Sequence, residues 1–149
     1  MLHDNAIGPQ GGYGLSLPLG KNCSLRSLDV RANGLGAGGA RALVGALNRN
    51  TRLRQLLLSD NGAGTIVMLH LAFALKTNVA LEEVALRGNG ITDTGLVWVA
   101  QALKRNHVPT SLDLGANRIT DRGVDALAGG LARQETLVAL NLEVPPTAP

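Results

Sequence analysis

The chain contains few aromatic residues and a single cysteine. Aromatic side chains make up 2% of the 149 residues, whereas apolar residues make up 45%. With so little aromatic bulk, the interior must be filled by aliphatic side chains, mainly leucine, alanine and valine. Cys23 has no partner for an internal disulfide, and no signal sequence opens the chain, so we expect a reducing, cytoplasmic compartment. We also expect the Cys23 thiol to be buried or half-buried and unreactive.

The sequence also lacks a long apolar run and the residue spacings of common catalytic or metal sites. Its longest apolar run, residues 65–75, contains His70 and is shorter than the roughly 20 residues of a membrane span. The histidines are far apart in sequence, no cysteine pair is present, and no serine stands in a Gly-x-Ser-x-Gly turn. We therefore predict no membrane contact, no metal, no cofactor, no small-molecule substrate and no enzymatic activity.

Positive charge is concentrated in one part of the chain. The formal net charge is +3, but residues 21–54 contain seven Lys or Arg residues against Asp29 alone. Such a basic region attracts acidic protein surfaces or phosphate groups. Nucleic-acid binding is disfavoured, because no aromatic residues are interleaved with the basic ones for base stacking.

A motif with a period of 28 residues explains most of the remaining sequence. Each copy approximates Leu-x-x-Leu-x-Leu-x-x-Asn, and apolar residues two apart indicate one face of a strand. Between the copies, leucines four apart indicate one face of a helix. At the end of each strand, a buried asparagine is expected to satisfy unpaired peptide groups. This structural ladder consists of Asn5, Asn33, Asn61, Asn89 and Asn117.

Aligning the sequence in rows of 28 gives further structural expectations. Small residues precede the last helix leucine and should let each helix approach the strands; these are Ala46, Ala74, Ala102 and Gly130. A second asparagine column should end each helix in a left-handed turn; it comprises Asn22, Asn50, Asn78 and Asn106. Ala63 and Pro109 replace larger aliphatic residues of the motif, so local distortion is expected at both positions.

Residues 89–96 and 117–124 share the pattern Asn-x-Ile-Thr-Asp-x-Gly-Val/Leu. This pattern resembles the ribonuclease-inhibitor-like leucine-rich repeat family, which includes ribonuclease inhibitor, the sensor domains of NOD-like receptors, Ran GTPase-activating proteins and tropomodulins. The resemblance implies an α/β solenoid, a horseshoe segment with parallel strands on its concave face and helices on its convex face. It covers residues 1–142 in about five repeats, the first and last incomplete, and residues 143–149 are expected to form a disordered, Pro-rich tail.

The family's usual work is to hold a protein partner. The resemblance therefore implies a non-enzymatic protein-protein interaction scaffold, and the incomplete end repeats suggest a segment of a larger sensor or regulatory protein. The alternative is a GTPase-activating regulator resembling the Ran GTPase-activating proteins. Such a regulator would stimulate a nucleotide hydrolase by contact while having no active site of its own.

Two surfaces are candidate partner sites. Outward strand positions carry varied charges, which favours recognition; the candidate concave residues are Arg26, Asp29, Arg31, Arg54, Gln55, Leu57, Ser59, Glu82, Glu83, Arg87 and Asp113. On the helices, the helical spacing predicts that Trp98 points away from the core. It would join an exposed apolar patch for self-association or for contact with another chain; the patch is Leu69, His70, Phe73, Val97 and Trp98.

Overall fold

The computed structural model describes residues 2, 4–132 and 134–143. Within them, five helices alternate with five strands of three residues each. The helices are α1 (Gly8–Lys21), α2 (Gly36–Ala46), α3 (Ile66–Leu75), α4 (Asp93–Leu103) and α5 (Asp121–Leu131). The strands are β1 (Ser27–Asp29), β2 (Gln55–Leu57), β3 (Glu83–Ala85), β4 (Ser111–Asp113) and β5 (Ala139–Asn141). No described helix is long and apolar enough to cross a membrane.

The strands form one parallel sheet in the order β1-β2-β3-β4-β5. Each strand residue pairs with the residue 28 positions later, so that Leu28 is opposite Leu56 and Leu56 is opposite Val84. A register equal to the sequence period means that each repeat occupies the same place in the stack. The predicted leucine-rich repeat solenoid, with strands on one face and helices on the other, is confirmed.

The core lies between the sheet and the helix layer. Leu56 enters it from β2, Leu58 enters it directly after β2, Leu43 and Leu71 enter it from helices, and all four are fully buried. Burying a leucine side chain is worth about 1.5 to 3 kcal/mol. Among the described residues, the largest fully buried side chains are all aliphatic except that of Met68, so the fold is built on the leucine columns.

The asparagines that follow the strands link successive repeats by hydrogen bonds. Asn61 donates its backbone N–H to Oδ1 of Asn89 at 3.1 Å. Its Nδ2 group donates to the carbonyl oxygens of Val30 at 2.9 Å, Leu58 at 2.9 Å and Ser59 at 3.1 Å. Each ladder asparagine therefore satisfies peptide groups of its own repeat and of its neighbours, where the chain leaves the sheet.

The second asparagine column forms another ladder at the other end of the strands. Asn50 donates Nδ2–H to the carbonyl oxygens of Leu19 at 2.7 Å and Asn22 at 3.0 Å. Its Oδ1 accepts N–H bonds from Arg52 at 2.8 Å and Leu53 at 2.7 Å. The predicted left-handed turn is wrong for Asn22, whose φ is −69°. These residues are needed for their side-chain amides, which bridge one repeat to the next.

Left-handed backbone occurs instead at the residue directly before each ladder asparagine. The φ angle is 51° at Ala32, 58° at Asp60, 66° at Gly88 and 51° at Ala116. Only the third of these repeats uses glycine, the residue that adopts this conformation without strain. The alanines therefore store backbone strain at the turn that directs the chain from strand to helix.

Ala116→Gly is expected to stabilise the protein by about 0.5 to 1 kcal/mol, because glycine removes the Cβ strain of the left-handed conformation. The measurement is the free energy of unfolding in urea. Ala128→Gly provides the matched control, since Ala128 is exposed within α5 and glycine there should cost about 1 kcal/mol. If both substitutions change the free energy of unfolding in the same direction, the assignment of strain to residue 116 is contradicted.

Three other expectations about individual positions need correction. The Cys23 thiol is exposed rather than buried, because it lies in the loop between α1 and β1. Ala63 causes no distortion, and its N–H donates to Asn89 Oδ1 at 3.0 Å as the ladder requires. At Pro109 the effect is confined to hydrogen bonding: Asn106 Oδ1 accepts from Val108 N–H at 2.8 Å, but proline has no N–H to donate.

The small-residue column faces the neighbouring helix, not the strands. A Cβ placed on Gly130 would lie 2.6 Å from the carbonyl oxygen and 2.8 Å from the Cα of Ala100, which belongs to α4. The helices α4 and α5 therefore touch through their backbones at this point. The expectation that these residues bring helices close to strands was wrong, because the closest packing is between consecutive helices.

Candidate protein-interaction faces

The first and third residues of each strand lie on the side of the sheet that faces away from the core, and their exposure differs from repeat to repeat. In β2, Leu56 is buried in the core while Gln55 and Leu57 are half-buried on the outer side. This alternation follows from the two-residue period of a strand. The third positions form a row across the sheet, made of Asp29, Leu57, Ala85, Asp113 and Asn141. The row is apolar in its middle and polar at both ends.

A hollow of about 620 Å³ lies over this row from Leu57 to Asn141, and we call it the strand-face hollow. Leu57 and Ala85 are part of its floor, whereas Arg31 and Arg87 lie at its border. The remaining lining residues are Ser59, Asp60, Glu83, Ser111, Leu112, Asp113, Val138, Ala139, Leu140 and Asn141. It combines an apolar floor with charges of both signs.

The two arginines of the hollow are held by carboxylates. Arg31 makes a two-point contact with Asp29, with Nε and Nη2 at 2.9 and 2.8 Å from the carboxylate oxygens. Arg87 Nη1 lies 2.8 Å from Oε2 of Glu143, two repeats away. Hydrogen bonds to Asp29 and Glu143 respectively raise the pKa of each guanidinium above its ordinary value. Both arginine side chains therefore remain charged and have a carboxylate partner.

Gly115 leaves room for the contact between Arg87 and Glu143. A Cβ at Gly115 would lie 2.6 Å from Nη1 of Arg87, so a larger residue there would displace the guanidinium. Without that Cβ, Arg87 extends across the repeat of β4 to Glu143. Glu143, predicted to begin the disordered tail, also accepts the Ala116 N–H at its carbonyl oxygen. The rest of the predicted tail, residues 144–149, lies outside the described residues.

A smaller hollow of about 170 Å³ lies at the edge where the strands begin. Arg26, Arg54 and Glu82 from the predicted concave set line it, together with loop residues of the second and third repeats. Arg54 Nη1 pairs with Oε1 of Glu82 at 2.9 Å. This pair is largely exposed, and exposed pairs contribute at most about 1 kcal/mol. The predicted concave residues therefore do not form one site, since some line the strand-face hollow, some line this smaller hollow, and Asp29 and Gln55 line neither.

Two of the predicted concave residues are buried. Asp29 is 7% exposed, because the Arg31 guanidinium covers its carboxylate. Ser59 is 5% exposed in the turn that follows β2, although it borders the strand-face hollow. Gln55 lines neither hollow and donates to Oε2 of Glu83 at 2.8 Å. The expectation that Asp29 and Ser59 offer exposed side chains to a partner is corrected accordingly.

Sequence reasoning omitted the fifth strand from the candidate site. Val138, Ala139, Leu140 and Asn141 all line the strand-face hollow, and Val138 is 88% exposed. The predicted repeat domain extends to residue 142, but its last, incomplete repeat was not included among the candidate concave residues. The register nevertheless continues, since Ser111 pairs with Ala139 and Asp113 pairs with Asn141. The 28-residue spacing was the signal that could have identified these residues.

On the helix face, part of the predicted apolar patch lines a groove between α3 and α4. We call it the seam groove; its volume is about 160 Å³ and its lining is Leu69, Ala72, Phe73, Lys76, Trp98, Gln101 and Ala102. Phe73 is 49% exposed. Trp98 is half-buried and packs against the core, so the expectation that it points away from the core is corrected. Its ring covers the junction of two helices.

The other two members of the predicted patch lie outside this groove. Val97 is 45% exposed but does not line it. His70 is half-buried, and desolvation together with nearby Arg41 lowers its pKa below the ordinary value. Within the described residues, no group of three or more His, Cys, Asp or Glu side chains is arranged to hold a metal ion.

Comparison with known families supports the repeat assignment. A family profile described as "Leucine Rich repeat" matches residues 21–44, 77–98 and 110–128. No curated protein sequence matches the chain significantly. Together with the parallel sheet and its 28-residue register, the profile defines this chain as a leucine-rich repeat solenoid.

Two of 59 matching solved chains give more detail about the fold. One is described as "Leiomodin-1 Actin-Binding Site 2 (ABS2)", with a TM-score of 0.78 and 19% identity over 87% of this chain and 78% of that chain. Another is a Caenorhabditis elegans tropomodulin C-terminal domain, with a TM-score of 0.78 and 10% identity over 91% of this chain and 84% of that chain. The chain is similar in fold to both.

Proposed function

We propose that this chain is a non-enzymatic protein-interaction module that binds a partner protein in the strand-face hollow. The observation that carries the proposal is the arrangement of Leu57 and Ala85 as an apolar floor bordered by the charges of Arg31 and Arg87. Protein interfaces commonly have an apolar centre and a polar rim. Charges of both signs at the rim would select a complementary partner and fix its orientation.

The size and rigidity of the hollow support a protein partner. Strands β1 to β5 are tied by two ladders of asparagine hydrogen bonds, so the surface is preorganised. A rigid surface loses little conformational entropy on binding. The exposed Val138 side chain adds apolar area at the β5 end. A flat, extended protein surface can contact floor and rim together.

Actin is the first partner to test, because the leiomodin-1 domain of similar fold is described as an actin-binding site. Monomeric actin held unpolymerised would be titrated with the purified chain and followed by sedimentation velocity. Formation of a complex is the expected result. Absence of a complex would reject actin, and stimulated GTP hydrolysis by a Ran-type GTPase would favour the regulator instead.

Leu57→Asp is expected to weaken partner binding about tenfold or more, because it removes apolar contact area from the floor of the hollow. The fold should tolerate the change, since Asp29 and Asp113 occupy the same row in other repeats. Val97→Asp is the matched control on the helix face, where Asp125 occupies the equivalent position one repeat later. Equal losses for both variants would contradict the assignment to the strand face.

A further inference from the structure

The seam groove brings bulky apolar side chains of two neighbouring helices together, namely Leu69 and Phe73 of α3 and Trp98 of α4. The residues equivalent to Phe73 one repeat to either side are Gly45 and Gln101, and those equivalent to Trp98 are His70 and Ala126. The small side chains of two alanines, Ala72 and Ala102, also line the groove. An apolar groove of this kind is a candidate contact site.

A second hollow continues the groove towards the ends of the helices. Its volume is about 450 Å³ and its lining is Lys76, Gln101, Ala102, Lys104 and Arg105. The first three of these residues also line the seam groove. The two hollows therefore form one continuous surface, apolar between the helices and basic at their carboxyl ends.

The cations of this surface lack acidic partners in the described part of the chain. Neither Lys104 nor Arg105 has a carboxylate oxygen within 4.0 Å among the described residues, and both side chains are exposed. The Lys76 ammonium lies 4.6 Å from the centre of the Phe73 ring, a cation–π contact that leaves its charge uncompensated. Three cations therefore border the apolar groove on one side.

The same charge asymmetry extends along the edge where helices end and strands begin. The described residues of this edge include eight cations and three carboxylates. The cations are Lys21, Arg26, Arg49, Arg52, Arg54, Lys76, Lys104 and Arg105, and the carboxylates are Glu82, Glu83 and Glu135. Cations at helix carboxyl ends are favoured by the helix dipole. That effect accounts for the cations next to helix ends, such as Lys76 and Lys104, but not for Arg26, Arg52 and Arg54 before the strands or for the apolar groove.

We propose that the seam groove binds a short acidic, amphipathic segment of a partner protein. A large apolar side chain of that segment would enter the groove between Phe73 and Trp98. Its carboxylates would meet Lys76, Lys104 and Arg105. Amphipathic segments bind in grooves through apolar anchors at helical spacing, and the basic rim would select acidic sequences over basic ones. This site lies on the face opposite the strand-face hollow and does not depend on it.

The size of the site favours a peptide over a second copy of this chain. A helix of ten residues, as α3 is, extends about 15 Å, and neighbouring helices lie about 10 Å apart, so the seam offers roughly 150 to 300 Å². A stable protein dimer buries about 800 Å² on each partner. The groove therefore provides an anchor point for a segment but too little surface for self-association.

The test uses the single tryptophan of the chain as the probe, because Trp98 lines the groove. A synthetic amphipathic peptide, with leucines at helical spacing and glutamates at the other positions, would be titrated while Trp98 emission is recorded. Saturable change in the emission is expected. The same peptide with leucines replaced by alanines, or with glutamates replaced by lysines, should bind at least about tenfold more weakly. No emission change with the acidic peptide would overturn the proposal.

Variants identify the surface that responds. Lys104→Glu combined with Arg105→Glu should weaken acidic-peptide binding about tenfold, because the new carboxylates repel those of the peptide. The fold should be unaffected, since both side chains are exposed. Gln101→Glu provides a second variant, since Gln101 is exposed between the two hollows. Arg122→Glu on α5 should leave binding unchanged. Equal affinity across all variants overturns the proposal, as does sedimentation showing a dimer that Gln101→Glu dissociates.

Discussion

Asn89→Ala is expected to lower the free energy of unfolding by about 3 kcal/mol, because it leaves several buried peptide groups without hydrogen-bond partners. Asn89 is 2% exposed. Its Oδ1 accepts N–H bonds from Asn61 at 3.1 Å and Ala63 at 3.0 Å. Its Nδ2 donates to the carbonyl oxygens of Leu58 and Leu86 at 3.0 Å and of Arg87 at 3.1 Å. Urea denaturation followed by circular dichroism measures the change.

Asn48→Ala is the control for this prediction. Asn48 is exposed after α2, and its Nδ2 makes a local bond to the Gly45 carbonyl oxygen at 2.9 Å. Loss of an exposed bond should change stability by less than about 0.5 kcal/mol. If Asn89→Ala and Asn48→Ala unfold at the same urea concentration, the ladder does not stabilise the stack in the way the hydrogen bonds indicate.

Gly130→Leu is expected to destabilise the protein by about 3 kcal/mol, because the added side chain has no space between α4 and α5. Even a single Cβ at Gly130 would lie 2.6 Å from the Ala100 carbonyl oxygen. The obstacle is backbone, which cannot move aside as the end of a flexible side chain can. The helices would therefore have to separate, with loss of packing around Leu127, which is 1% exposed. Thermal and urea unfolding both measure this loss.

The adjacent Gly129 offers a matched control within the same helix. A Cβ at Gly129 would meet no atom within 4 Å. Gly129→Leu should therefore stabilise the protein by about 0.5 to 1 kcal/mol, since leucine has the higher helix propensity. Opposite signs at two neighbouring glycines are the expected result. Destabilisation by both substitutions would instead indicate that α5 is packed differently from the geometry described above.

The two asparagine ladders make the repeats interdependent. Asn33 donates its N–H to Asn61, Asn61 donates to Asn89, and Asn89 donates to Asn117, each across one repeat. At the other end of the strands, Asn78 donates to carbonyl oxygens of Leu47 and Asn50. Stability in a solenoid depends on contacts between nearest neighbours. Both ends of each strand are therefore tied to the preceding repeat.

The fold was predictable from the sequence because its determinants recur. The 28-residue spacing of asparagines and leucines matches the spacing of the strand starts, and the sheet register has the same value. The leucine columns occupy the core, as the strand and helix periods require. Because the motif recurs, each 28-residue repeat separately predicts the same strand and helix. That is why the class of fold followed from the motif.

The second asparagine column shows where sequence reasoning reached the correct position with the wrong mechanism. Asparagine at a helix end is compatible with a left-handed turn, and it is also able to bridge repeats through its amide. Only the structure distinguishes these possibilities, because Asn22 has a φ of −69° and Asn50 donates to Leu19 and Asn22. A hydrogen bond between residues about 30 positions apart depends on how the repeats stack, which a local pattern does not specify.

The sequence by itself determined the solenoid, its period and its aliphatic core, because apolar periodicity is a local property of each repeat. The tertiary structure alone decided which side chains are available on its faces. Asp29 is covered because Arg31 folds over it, and Trp98 is half-buried because it packs against the core. The basic edge likewise exists only because stacking brings cations such as Lys76 and Arg105 from separate repeats together. Such surfaces depend on contacts between repeats, so the order of residues within one repeat does not define them.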